Sequence, residues 1–508
     1  MRKKNAADSG RIAKVGLIWR LNLNGSLRGF FQNDVLRDGT GHTTQQAEKN
    51  LLDAKQYFRD YLEAKCKEQK EESGSLAEYL DNLLALITES LGFVWHEVGS
   101  EHEVSVIFET MNSRGRPLTQ FEKVKNLLFF LGGRYASDEQ ELSSLARAIN
   151  DTWSVVLTRL HSGAPETDED QFLRFVWAIY PKALWFDENQ RDRTFDIHKA
   201  VKESAKKPDF VSAPLLWIND FLKWLRDYAP IYRDIQKPDF SGSFPFAGNL
   251  RNDFIDRCQS IDRIGREANL IPLLMAAYRC YASNATQLND LKEVFRLVEV
   301  FSFRLLLQGR YASTGRSKAF DLAAEAAKGQ LPVAVLQDRI RIDLIDYYCN
   351  DAYFRDHLLS NRNFYEWNGI RYFLFEYERD LAKGNVLPLD WPAFTKLEKV
   401  QTIEHILPQG DNTLANAYWP KQFPTPEIWR DNINCFGNLC ITEWNPTYGN
   451  KSFPEKCGQP NAKPEERVYR NSKFQSEREL VQWSVWTPQA INQRKEKLVQ
   501  FALRRWKR

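Results

Sequence analysis

Most of the usual signposts of function are missing from this sequence. Cysteine is scarce: seven in 508 residues, at positions 66, 258, 280, 349, 435, 440 and 457, with no C-x-x-C pair. That scatter excludes a zinc ribbon and a disulfide framework and fits a reducing, cytoplasmic setting. Cys435 and Cys440 have only Cys457 nearby, too few ligands for zinc, and read as small apolar fillers. Charge of one sign is also missing. The formal net charge is +3, so any contact with nucleic acid has to come from local basic patches. No run of 18 apolar residues occurs, which excludes a membrane-spanning helix. The basic opening MRKKNAADSG is not followed by an apolar core and does not read as a secretory signal. No self-similarity at 30 to 45 residues is visible, so the chain is not a regular solenoid.

What is present is a long, mainly helical chain. Its length calls for two to four domains, and an apolar content of 43% is that of an ordinary globular protein. Residues 45–67 carry apolar side chains at helical spacing, and Ser75 with Glu78 reads as a capping box before a second stripe. Further stripes run over 142–160, 172–180, 270–281, 294–307 and 364–381. A short strand is expected at 93–98, where His96, like His102, has no evident catalytic partner. The Pro-containing segment KGNVLPLDWP, 383–392, reads as a domain boundary. The division expected is therefore 1–134, 135–385 (a helical connector) and 386–508.

The most informative stretch is 399–453. A β-prone run around Val400, Thr402 and Ile403 delivers Glu404 and His405 side by side, followed by Pro408. A second apolar run, 439–444, is entered through Gly437-Asn438 and left through Asn445-Pro446, with Asn450 and Lys451 just beyond. A histidine can take a proton from water, while a carboxylate and amide oxygens are hard donors of the kind Mg²⁺ accepts.

At these residues the sequence resembles the HNH (ββα-metal) endonucleases. It resembles more closely the H-x-x-P nuclease module of GmrSD-type, modification-dependent (type IV) restriction proteins. The resemblance implies that His405, in His405-Ile-Leu-Pro408, is the general base and Glu404 the metal-side carboxylate. It makes Asn438 the residue that orients the base through backbone contacts, and Asn445 or Asn450 the last metal position, with Asn445 preferred. The expected ion is Mg²⁺ or Mn²⁺. The sequence departs from the simplest HNH pattern in having no second His in this region.

A second segment, FETMNSRGRPLTQFEKVKNLLFF, ends an apolar element at Asn112, turns through 113–117 and caps a helix with Thr119 and Glu122. Asn112, Arg114, Gly115 and Arg116 precede a helix N-terminus, where unpaired N–H groups favour an anion. This segment resembles the ParB-like NTPase domain that accompanies the nuclease in GmrSD-type proteins. The D-G-Q-Q-R-like motif of that domain is missing. The expectation is either an NTP site completed by a partner polypeptide, which would also cover the apolar stripe between Leu51 and Leu62, or a reading frame that starts late; NTP hydrolysis by this chain alone is not expected.

Past the nuclease stretch, 471–483 reads helical, and Thr487-Pro488 starts a last helix reaching Trp506. Its basic residues, Arg494, Lys497, Arg504 and Arg505 among them, either complement the helix dipole or, with Lys451, face DNA phosphates. The fold expected is thus mainly α with a small α+β HNH-type domain at 386–508. The function expected is a metal-dependent DNA endonuclease in an anti-phage or modification-dependent restriction system. The alternative is a catalytically silent helical adaptor that binds DNA or a protein through a nuclease-like fold.

Overall fold

The computed structural model describes residues 14–15, 18–19, 27–37, 39, 42–43, 46–71, 76–90, 118–161, 168–183, 196–238, 248–265, 269–384, 387–410 and 416–508. The expected strand at 93–98, Ser75, and the four residues Asn112, Arg114, Gly115 and Arg116 lie outside them. The chain divides into two compact units, residues 1–173 with 196–230, and residues 174–195 with 231–508.

In the first unit a two-stranded antiparallel pair, β1 (Lys14–Val15) and β2 (Ile18–Trp19), precedes four main helices. These are α1 (Gln46–Glu71), α2 (Leu76–Ala85), α3 (Gln120–Tyr135) and α4 (Glu139–Leu160). The capping box expected at Thr119 and Glu122 is formed. Phe121, second in α3, stacks on Trp153 of α4 with centroids 4.6 Å apart. The α3 N-terminus differs from expectation in one respect. Asp170 accepts from the N–H groups of Gln120 (3.0 Å) and Phe121 (2.9 Å), while Thr119 and Glu122 cap each other. The N–H groups of this first turn are thus taken within the chain, by Asp170, Glu122 and the Thr119 hydroxyl.

The second unit is built around α5 (Gly248–Ile264), α6 (Ile271–Tyr281), α7 (Leu288–Leu307), α8 (Ile370–Ala382) and α9 (Pro488–Arg505). Helix α7 is buried on every side over its C-terminal half, from Leu297 to Leu307, and is apolar nearly all round there. Two charges break that pattern. Glu299 accepts from Arg257 (2.7 Å) and Arg505 (2.5 Å), and Arg304 donates to the Trp506 carbonyl (3.0 Å) and pairs with Asp351 (2.7 Å). Glu376 of α8 adds bonds to Arg263, Arg379 and Arg505. Burial alone would raise its pKa, but the three guanidiniums outweigh it and hold Glu376 at about 2.

The strands that carry the site are β3 (Ile403–His405) and β4 (Leu439–Ile441). They pair antiparallel, with Glu404 opposite Cys440 and His405 opposite Leu439. The β-run is shorter than expected, because Lys399–Thr402 forms a helical turn behind a capping box between Glu398 and Gln401. The helix expected over 471–483 is broken into short turns around Gln475–Arg478, whereas α9 begins at its Thr487 cap as read.

The segment 383–392 does not mark a boundary between compact units. Phe436, just before β4, stacks on Phe364 (4.5 Å) and lies against Phe373 of α8 (4.4 Å). Trp506 stacks on Phe303 of α7 at 3.7 Å. The strands and the preceding helices share one core because these aromatic side chains, not the intervening prolines, decide what is buried together.

Candidate active site

His405 sits at the end of β3, 5% exposed, on a strand buried at all three residues. Its Nε2 lies 3.1 Å from Asn434 Oδ1. An amide oxygen only accepts, so Nε2 carries the hydrogen and Nδ1 keeps a free lone pair. Among the described residues nothing bonds Nδ1. The Tyr365 ring lies against the imidazole at 4.5 Å. Burial pushes the His405 pKa down to about 4, aided by the charges of Lys456 and Lys399 and opposed by the Asn434 bond. The ring is therefore neutral at physiological pH.

Glu404 points elsewhere, as successive strand residues do. Its Oε1 accepts from Lys456 Nζ at 2.6 Å and from the Tyr469 hydroxyl at 2.8 Å, and the residue is 2% exposed. Lys456 is fully buried and spends its remaining protons on the carbonyls of His405 (3.1 Å) and Ile406 (3.2 Å). Burial raises the Glu404 pKa and lowers that of Lys456, each effect opposed by the partner's charge. Nearby Glu477 accepts from Ser472 at 2.5 Å, and burial drives its pKa up to about 8. The pair and its neighbours lie above an apolar cluster that includes Trp419, Tyr448, Phe453 and Trp486.

Asn438 makes four side-chain bonds. Oδ1 accepts from Leu407 N (2.7 Å) and Trp486 Nε1 (3.0 Å), and Nδ2 donates to Leu407 O (3.0 Å) and Ile433 O (2.8 Å). Its carbonyl also accepts from Ile406 N at 3.0 Å. Asn438 thus clamps the backbone that leaves His405. Gly437 lies so close to α9 that a Cβ there would meet the Ile491 carbonyl at 2.1 Å. Arg494 donates to the carbonyls of Gly437 and Leu439, each at 2.8 Å.

The remaining expected ligands are dispersed. Asn445 Nδ2 donates to the Val400 carbonyl, and the Asn450 amide lies against Gly410. These contacts do not bring Glu404 to the two amides. Among the described residues no group of three His, Cys, Asp or Glu side chains could hold a metal ion. With its carboxylate occupied by a lysine, the set does not fit a preformed divalent-cation site, and no step below passes through an ion.

Of the five expected DNA-facing residues, Lys451 is exposed, whereas Arg494 and Arg505 need correction. Arg494 is completely buried, and Arg505 is locked between Glu299 and Glu376. Lys497 and Arg504 are exposed but paired with Glu479 (2.5 Å) and Asp380 (2.6 Å). Positions 491, 494, 498, 501, 502 and 505 share one face of α9, and the apolar members carry Arg494 and Arg505 inward with them. The same rule would have found Lys456, which lies three residues after buried Phe453 and next to buried Cys457. Asn434, Tyr365 and Lys399 left no comparable signal.

No curated protein matches the sequence. Residues 18–129 match the family described as GmrSD restriction endonuclease, N-terminal domain. Residues 348–501 match GmrSD restriction endonucleases, C-terminal domain, a stretch that contains His405, Asn434, Asn438 and Lys456. With the two domains in this order on one polypeptide, the chain belongs to the GmrSD-type restriction endonucleases, which makes it a nuclease with DNA as its substrate.

Proposed function

We propose that the chain is an HNH-type DNA endonuclease of an anti-phage, modification-dependent restriction system, with His405 as its general base. The observation that carries this reading is the Asn434–His405 bond, which leaves Nδ1 as the acceptor on a neutral ring. A water held at Nδ1 gives its proton to His405 while its oxygen forms a bond to phosphorus. The opposite P–O bond breaks, and the departing oxygen takes a proton from solvent. Bringing the phosphodiester anion beside the ring raises the His405 pKa toward the range where a base works best. The antiparallel pair β3–β4, followed by the short helices Asn445–Tyr448 and Phe453–Cys457, supports a ββα arrangement.

His405→Ala tests the reading. The variant is expected to unfold at the wild-type temperature and to cut plasmid DNA roughly 10²–10⁴-fold more slowly. Wild-type-like cleavage by this variant rules the site out. DNA binding without cleavage by the wild-type chain points instead to a silent adaptor.

An Mg²⁺ or Mn²⁺ requirement would have to be met by an ion that arrives with the DNA phosphates, because the described residues form no preformed site for one. Exhaustive chelation is expected to stop cleavage and either ion to restore it; activity that survives chelation removes the ion from the reaction.

A protein partner, and a nucleotide site shared with it, complete the reading. It is supported by Tyr57 (67% exposed) and Phe58 (63%) on α1. Co-expression with a genomic neighbour should give a complex on size-exclusion chromatography, and failure to co-elute counts against the partner.

A further inference from the structure

Lys399 opens the helical turn that feeds β3, and its ammonium lies over the Tyr365 ring, 4.2 Å from the centroid. The same ring lies 4.5 Å from the imidazole of His405. The ammonium and the imidazole are therefore no further apart than those two spans laid end to end. Two lysines reach His405 with their charge, Lys456 and Lys399. Lys456 spends its protons on Glu404 and two carbonyls inside the fold. Lys399 has no hydrogen bond and no ion pair among the described residues, and it is only partly buried. The capping box between Glu398 and Gln401 fixes the turn beneath it, with Glu398 N donating to Gln401 Oε1 at 3.0 Å. A cation held in place beside a neutral base, with no hydrogen-bonded partner and only the more distant charge of Glu366 to answer it, is arranged for an anionic ligand.

We infer that the Lys399 ammonium binds a non-bridging oxygen of the scissile DNA phosphate, with Tyr365 as the platform against which both ammonium and imidazole lie. The spacing suits this occupant. A charge-assisted N–H···O bond spans about 2.7–2.9 Å. The attacking water sits about 3–3.5 Å from its target atom. The two ring distances set an upper bound on the span from Nζ to the imidazole, and a phosphate with its attacking water, in a bent arrangement, stays within it. The charge that grows on the phosphoryl oxygens during attack is then met by Lys399, at a site whose carboxylate is already occupied by Lys456. The inference rests on the nuclease reading above and identifies the group that meets the phosphate.

Two measurements separate this role from a structural one. Lys399→Gln is expected to cut roughly 10²-fold more slowly, the scale for losing one donor to a developing charge. Lys399→Arg should keep most of the activity, and both should unfold at the wild-type temperature, because Nζ bonds nothing in the fold. The second measurement uses His405→Ala protein, slow enough to leave its substrate largely intact, with duplex DNA at several salt concentrations. Adding Lys399→Gln should reduce the slope of log K against log[salt] by about 0.9, the counterion released by one phosphate contact. If wild-type protein cuts through His405 while Lys399→Gln cuts equally fast with an unchanged slope, this inference alone is overturned. If the slope depends on Lys399 but the wild-type chain does not cut, the phosphate contact stands and the nuclease reading falls.

Discussion

Two asparagines four residues apart divide the work around His405. Asn438 is saturated, with all four hydrogen-bonding positions used on buried partners, whereas Asn434 makes the bond that sets the tautomer of the base. Truncating each should have opposite consequences. Asn438→Ala leaves buried backbone groups and the Trp486 N–H unpaired, and is expected to cost about 3 kcal/mol or more in chemical denaturation. A loss below about 1 kcal/mol would show that water replaces the clamp. Asn434→Ala should barely change stability but slow cleavage about tenfold, by freeing the imidazole to take either tautomer. Asn438 was singled out through the resemblance at Gly437-Asn438, since Gly-Asn by itself marks only a turn. Asn434 was not, because its role depends on a strand about thirty residues earlier. Glu477 supplies a pH prediction. Its folded pKa of about 8 lies above the unfolded value of about 4.3, so the folded chain keeps a proton that the unfolded chain has lost. That contribution to stability is fully present below the unfolded value and gone once pH has passed the folded one. Thermal unfolding should show wild-type stability falling across that window and Glu477→Gln falling less, with the variant the more stable at pH 9; parallel curves would contradict the buried, protonated carboxyl.

Helix α9 shows how a charge count misleads at the scale of an element. Its Lys and Arg residues read as a positive face, but the periodicity of Ile491, Leu498, Phe501 and Ala502 puts Arg494 and Arg505 on the buried side. There they tie backbone and carboxylates together: Arg494 holds the carbonyls on either side of Asn438, and Arg505 bridges Glu299 and Glu376. Removing one member of such a network strands the others. Arg505→Met is expected to destabilise the fold by about 3–5 kcal/mol through uncompensated buried carboxylates, read as a shift in the denaturation midpoint. An unchanged midpoint would mean that water or Arg263 compensates. Lys497→Gln and Arg504→Gln, whose charges are already paired at the surface, should change DNA affinity little. The start of α9 was legible from Thr487-Pro488, a local signal. The bearing of its arginines depended on what the opposite face had to bury.

For the whole molecule, the mainly helical character was readable from sequence, while the division into compact units was not. Prolines at 388 and 392 suggested a border that the packing of Phe436 on Phe364 and Phe373 crosses. The matched C-terminal family domain begins at 348, also before that border. A fragment of residues 386–508 is accordingly expected to show no cooperative thermal transition by circular dichroism, whereas 231–508 should show one. A sharp transition in the shorter fragment would restore the border at 386. The approach of α9 to Gly437 has a further consequence, for the timing of synthesis. Strand β3, with the base, leaves the ribosome well before α9 does, and the backbone around Asn438 has no Arg494 to close it until α9 emerges. A chain still being translated therefore carries its histidine without the frame that aims it. On the reading that makes His405 the base, the capacity to cut arrives with α9.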